Sequence, residues 1–403
     1  MSNPRVGLWI IGARGGVSVS ALCGWSALRR GSISSAGLVT ETPFLQKLPL
    51  CSWDELVIGG HEIRSGALAS ELDRLRQTSG VIAPHVAELV QEDFASIDAR
   101  IRPGTLWKSG PKIASLAGPE TPSNPQGALH EIERLQGDLQ AFRDENGLND
   151  VVVMNLASTE AGLPDFPWPT DWEATRALLE SPDVPLSSSS LYAIAALDLG
   201  MPYVNFTPST GACLPGIEDL ACQRSACHAG RDGKTGETLL KSVLAPMFAA
   251  RRLEVMSWVG HNIFGNLDGK VLDDPAHKAT KVQSKDALLG KILGYAPQTL
   301  ISIEHIESLG DWKTAWDHIH FRGFLDTPMT LQFTWQGCDS MLAAPLVLDL
   351  VRLTHFASKQ GEIGPLRFLS SFFKSPVGNV PQAFADQFRD LETWAAEAAR
   401  SAS

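Results

Sequence analysis

The sequence runs to 403 residues, 44% of them hydrophobic and 20% charged, with 34 basic against 45 acidic side chains and a formal net charge of -11. This is the composition of a globular chain long enough for two domains, and it excludes disorder as the default. The acidic balance argues against wholesale binding to nucleic acid or to an anionic membrane, so a lysine cluster here is expected to serve a small anion locally.

The apolar run from Val6 to Ile11 is too short for a signal-peptide core and meets "GARGG" at once, so it reads as a strand. Gly12, Gly15 and Gly16 then let the backbone turn tightly and bring its N–H groups toward a pyrophosphate at the start of a helix. The stretch departs from G-x-G-x-x-G, because Arg14 stands where the second glycine would be, and a plain strand-to-helix turn is the alternative. Further strands are expected at 37–40, 55–60, 150–156 and 201–206, with helices between several of them, which predicts a parallel, doubly wound sheet. The acidic partner for the ribose hydroxyls, about 20 residues past the glycines, is Glu41 or its rival Glu62.

Proline-rich stretches at 102–125 and 163–172 carry tryptophan and read as ordered loops over the sheet edge. From about 238 to 342 the texture predicts an antiparallel sheet with helices on one side, a second domain. "MLAAPLVLDLVRLTHFA" follows as a buried apolar helix, and no stretch is expected to reach the length of a membrane span. "SSSS" at 187–190 is the one low-complexity tract. Six scattered cysteines suit free thiols in a reducing cytoplasm. Cys222, Cys227 and His228 form the one tight cluster, which lacks a second ligand pair for zinc.

Four stretches carry candidate chemistry. "NFTPSTGACLPG" reads as a ligand-facing loop, or simply a surface one. In "RDGKTGETLLKSVL", Thr235, Gly236 and Thr238 offer donors to a phosphate, or a bare helix cap. "GHNIFGNLDG" gathers Asn262, Asn266 and Asp268. In "DPAHKATKVQSKD", Lys278, Lys281 and Lys285 would share one face of a helix, where either water screens them or an anion sits against them.

These stretches, in order, with "GDWKTAWD", "CDSMLAAPLVLDL", "FLSSFFKSP" and the N-terminal "GARGGVS", "GGHEI" and "MNLASTEA", resemble the myo-inositol-1-phosphate synthase family over nearly the whole chain. The resemblance implies four active-site lysines at Lys281, Lys285, Lys313 and Lys374. It places substrate contacts at Thr235, Gly236, Asn262 and Asp268. Cofactor contacts would be Gly12, Gly15, Gly16, Glu62, Ala157, Ser158, Asp232 and Asp339, so it prefers Glu62 to Glu41; Lys278 has no lysine counterpart. Departures gather around the cofactor: Arg14, Leu267 and Phe206 stand where the family carries other residues, which leaves the choice between NAD and NADP open.

The resemblance further implies a Rossmann-like NAD-binding domain over 1–238, an inserted α+β catalytic and oligomerisation domain over 239–342, a C-terminal segment 343–403 completing the first domain, and a homotetramer. The reaction implied is isomerisation of D-glucose 6-phosphate to 1D-myo-inositol 3-phosphate, for inositol and phospholipid biosynthesis. It proceeds through NAD-dependent oxidation at C5, enolisation, aldol closure of C6 on C1, and reduction by the same cofactor. Lys281 would assist proton transfer at C5, Lys285 and Lys374 would contact phosphate and reacting oxygens, and Lys313 would stabilise the C1 oxygen. Some members use a divalent cation, for which Asp268 with Asp339 would be the place. A sugar-phosphate or cyclitol dehydrogenase of the same fold, and a non-catalytic nucleotide-binding relative, are the rival readings.

Overall fold

The computed structural model describes residues 5–123, 125–266 and 288–401. Its strands in chain order are β1 (Val6–Ile11), β2 (Leu56–Glu62), β3 (Ile101–Pro103), β4 (Asp150–Asn155), β5 (Tyr203–Asn205), β6 (Cys227–Gly230), β7 (Glu254–Phe264), β8 (Gln298–His305), β9 (Trp312–Arg322), β10 (Pro328–Cys338) and β11 (Gly364–Pro365). Seven of them form one sheet in the order β11-β6-β5-β4-β1-β2-β3. Every pairing in it is parallel. The order reverses between β1 and β4, and the crevice at the carboxyl ends of the strands beside that point is where such sheets take ligands.

All six residues of β1 are buried, as expected of a strand covered on both faces. Leu8 and Ile10 pack on one side with the helices Gly16–Arg29 and Asp339–Lys359. Trp9 and Ile11 face the other side, among residues of the helices Ala128–Glu145 and Ser188–Asp198. By length and composition the helix Asp339–Lys359 could cross a bilayer, contrary to the reading that no stretch is long enough; 67% of its most apolar window is buried here, and it is a core helix.

The strand expected at 37–40 is absent. Val39–Glu41 is a 3-10 turn, because the Val39 and Thr40 N–H groups donate to the Asp349 carboxylate (2.7 and 2.9 Å) rather than to a neighbouring strand. The strands β3, β6 and β11, of three, four and two residues, are too short to carry a periodic signal. "SSSS" is ordered: Ser187 precedes the helix Ser188–Asp198 and all four hydroxyl residues are buried.

The second sheet runs β10-β9-β7-β8. It is mixed rather than antiparallel: β10, β9 and β7 pair antiparallel, but β7 and β8 pair parallel. The chain between Phe264 and Gln298 is long enough for the crossover that a parallel pair needs. One face lies on the helix Gly236–Ala250, where Phe248 and Ala245 pack with Trp258 and Ile319. A buried polar network crosses that contact. Lys241 Nζ lies 2.5 Å from Glu237 Oε1, Asn262 Nδ2 donates to Glu237 Oε2 (2.7 Å), and Trp258 Nε1 donates to Asp317 Oδ1 (2.7 Å). On the opposite face Trp316 stacks on His261, beside Leu300, His318 and Gln332. Leu300 and Trp316 are 56% and 37% exposed there.

Candidate active site

A cleft of about 440 Å³ lies at the carboxyl ends of β1, β2, β4 and β5 and extends to the edge of the second sheet. Its floor is the glycine turn. Gly12 has φ +81°, and a Cβ there would lie 2.9 Å from Ala157 Cα, so the turn after β1 can meet the turn after β4 only through glycine. The helix Gly16–Arg29 starts with no side-chain cap and no acidic residue in its first turn. Its N–H groups and its positive dipole end are left to a ligand, the arrangement that binds a pyrophosphate.

Opposite this turn stands the start of the helix Asp339–Lys359; a Cβ on Gly16 would lie 2.7 Å from Ser340 Oγ. Asp311 holds that helix start: Ser340 N–H and Oγ donate to its carboxylate (2.8 and 3.0 Å), and Cys338 Sγ does so at 3.0 Å. Burial pushes the Asp311 carboxyl up from its ordinary range. Sequence reasoning missed Asp311, although it stands two residues before Lys313 in "GDWK".

Two lysines meet carboxylates in the cleft. Lys313, the second residue of β9, places Nζ 3.7 Å from Asp339 Oδ1 and 5.3 Å from the centre of the Phe264 ring, the residue opposite it on β7. Lys374 Nζ donates to Asp232 Oδ1 at 2.8 Å. A short antiparallel ladder brings that pair together: Arg231 and Ser375 exchange backbone hydrogen bonds (3.0 and 3.1 Å), and Lys234 N–H donates to Phe372 O (2.8 Å). Nothing in the local sequence announces this ladder. Beside it the Lys234 ammonium is buried against Gln387, and desolvation pulls its pKa down to about 7.

The cleft therefore gathers Gly12, Gly15, Gly16, Glu62, Ala157, Ser158, Asp232, Thr235, Lys313, Asp339 and Lys374. Lys281, Lys285 and Asp268, with Lys278, lie outside the described residues. Two expected substrate contacts do not line the cleft. Asn262 alternates onto the covered face of β7 and donates to Glu237, and Gly236, at φ +56°, shapes the helix start behind Thr235. Glu41 is also elsewhere, paired with Arg352 at 3.0 Å, whereas Glu62 ends β2 in the cleft wall. Glu160, which the sequence reading passed over, also lines the cleft: its carboxylate accepts Ser189 N–H (2.9 Å), and burial raises its pKa. Among the described residues no group of three His, Cys, Asp or Glu side chains is placed to hold a metal ion.

An amine beside a carboxylate can hand a proton to and from a bound oxygen or carbon, and an ammonium stabilises an enolate or alkoxide. The glycine turn and the uncapped helix fit a dinucleotide, and the two lysine and carboxylate pairs face the same space. A sequence profile of the myo-inositol-1-phosphate synthase family matches residues 6–395. The inositol-3-phosphate synthase 1 of Bacteroides thetaiotaomicron is 29% identical, over 93% of this chain and 90% of that protein. The inositol-3-phosphate synthase of Spirodela polyrhiza is 28% identical over 83% of this chain; the match spans 66% of the plant protein's length. The crystal structure of inositol-3-phosphate synthase from Caenorhabditis elegans superposes with a TM-score of 0.87 at 24% identity, over 98% of this chain and 86% of that one, a likeness of fold.

Proposed function

The chain belongs to the myo-inositol-1-phosphate synthase family, and from that premise we propose that it converts D-glucose 6-phosphate to 1D-myo-inositol 3-phosphate as an NAD-dependent isomerase. The observation that carries this reading is the meeting of Lys313 with Asp339 and of Lys374 with Asp232 in the cleft that also holds the glycine turn. A nucleotide-binding protein without chemistry would need the turn but not the lysines.

Gly12, Gly15, Gly16, Ala157 and Ser158 would hold the dinucleotide, which when bound takes a hydride from the substrate and returns it. The chain's own side chains do the rest. Lys374 and Thr235 bind phosphate and reacting oxygens, with Asp232 keeping the Lys374 ammonium oriented toward them. Lys313, beside Asp339, stabilises the C1 oxygen as charge develops on it during ring closure. Lys281 moves the proton at C5, and Lys285 joins the phosphate. A divalent cation, where one is used, would fall to Asp339 with Asp268.

We further infer three domain spans, 1–238, 239–342 and 343–403, supported by the pairing of β11 with β6. A homotetramer is supported by the exposed face of the second sheet, and a cytoplasmic setting by six unpaired cysteines. Incubation with glucose 6-phosphate and substoichiometric NAD+, followed by phosphorus NMR, tests the activity. An inositol monophosphate with no net NADH is the expected result. NADH accumulating in step with product would make the chain a dehydrogenase instead, and no product under any cofactor or metal condition would end the synthase reading.

A further inference from the structure

The turn after β5 carries one of the chain's departures from the family pattern, Phe206, and sets it between the glycine turn and a lysine and carboxylate pair. Its main chain is fixed on both sides. Phe206 N–H donates to Asn155 O at the end of β4 (3.1 Å), and its carbonyl accepts Gly233 N–H (3.0 Å). The next carbonyl, that of Thr207, accepts the N–H of Asp232 (2.9 Å), the partner of Lys374.

The ring lies over Gly233. A Cβ on that glycine would stand 2.1 Å from Phe206 Cζ and 2.3 Å from Cε1, so the ring keeps this place only because residue 233 has no side chain. Phe373, next to Lys374, backs it edge-on with ring centres 6.5 Å apart. Half-buried, Phe206 lines the cleft beside Leu156, Asp232 and Lys374. A flat apolar surface among ammonium and carboxylate groups suits a planar ring, while the polar groups around it suit hydroxyls and phosphate.

In a doubly wound sheet the dinucleotide spans the switch point, with its adenosine half over the acidic end of β2. From the glycine turn the other half runs over β4 and β5, toward Phe206. We propose that Phe206 seats the nicotinamide ring, covering one of its faces and leaving the other toward Lys313 and Lys374. The residue thereby determines the face of the ring through which hydride arrives from the sugar and returns to it. The inference rests on the reading that the cleft holds a nicotinamide dinucleotide at all.

Calorimetric titration with NAD+ and with ADP-ribose, which lacks the nicotinamide, isolates the ring from the rest of the cofactor and from turnover. Phe206→Ala weakens NAD+ binding roughly three- to tenfold and leaves ADP-ribose affinity unchanged, which also shows the variant to be folded. Phe206→Tyr, which keeps the flat face, retains NAD+ affinity. Gly233→Ala, whose methyl group displaces the ring, gives the same selective loss by itself and adds little to Phe206→Ala. Equal losses for both ligands, or undiminished NAD+ affinity in Phe206→Ala, overturns the proposal and leaves the dinucleotide reading standing; if the unmodified protein binds neither ligand, both fall.

Discussion

The parallel sheet is closed on both faces and the mixed sheet on one. In the first, neighbouring residues of β1 enter two separate apolar cores, and polar side chains gather at the strand ends. In the second, the covered face buries Glu237, Lys241, Asn262 and Asp317 under the sheet, while the other carries Trp316, His261 and Leu300 toward solvent. The difference separates two tasks. One sheet is the platform whose strand ends shape a ligand crevice; the other lends Lys313 to that crevice and leaves Leu300 and Trp316 exposed on its open face.

The largest expected effect tests whether both sheets serve one site. Lys374→Ala and Lys313→Ala should each lower turnover by about 10²- to 10⁴-fold, read as inositol phosphate formed, although one lysine belongs to each half. Full activity in either variant would detach that half from the chemistry. Lys241→Met tests the covered face of the mixed sheet. Removing the cation from beside buried carboxylates should cost about 3–5 kcal/mol in urea unfolding, and a loss below about 1 kcal/mol would show that the network contributes little.

The open face should fail differently. Leu300→Lys combined with Trp316→Glu would leave the fold, judged by circular dichroism, and dissociate the assembly in light scattering; a protein that is monomeric before substitution would remove the partner from that face. On the ladder beside the cleft, the Lys234 pKa is held near 7 by burial against an ordinary value of 10.5. Between those values the unfolded chain binds more protons than the folded one, so stability rises with pH from about 7 upward. Thermal melts at pH 7 and pH 9 should show the rise, and Lys234→Met should flatten it. The smallest effect belongs to Glu41→Gln, which should leave dinucleotide affinity unchanged in a binding titration, because that carboxylate pairs with Arg352 away from the cleft.

What the sequence made legible follows the same division. β1 and its glycine turn are contiguous, so a buried run meeting Gly12, Gly15 and Gly16 announces strand, turn and helix together. The segment 37–40 misled because its partner, the Asp349 carboxylate, lies some 300 residues away. β7 and β9 alternate visibly, yet the parallel entry of β8 is not written in any strand, since direction is set by the chain between them. Glu62 could be preferred to Glu41 by resemblance, but the saturation of its carboxylate by three backbone N–H groups is a three-dimensional fact. Asn262 shows the cost of reading a motif without its place on the strand: it lies on the covered face with Glu237, and the residues of the same motif that line the cleft are Gly265 and Asn266, just past the end of β7.

The backbone ladder between Arg231 and Ser375 has a consequence for the order of synthesis. It joins residues more than 140 positions apart, and Lys374 reaches Asp232 only across it. A nascent chain that has already emerged as far as Asp232 carries its glycine turn, its switch point and that carboxylate, yet half of one amine and carboxylate pair is still to be translated. The nucleotide platform and the chemistry thus wait for the same late segment, whose helix Asp339–Lys359 closes one face of the sheet before Lys374 arrives.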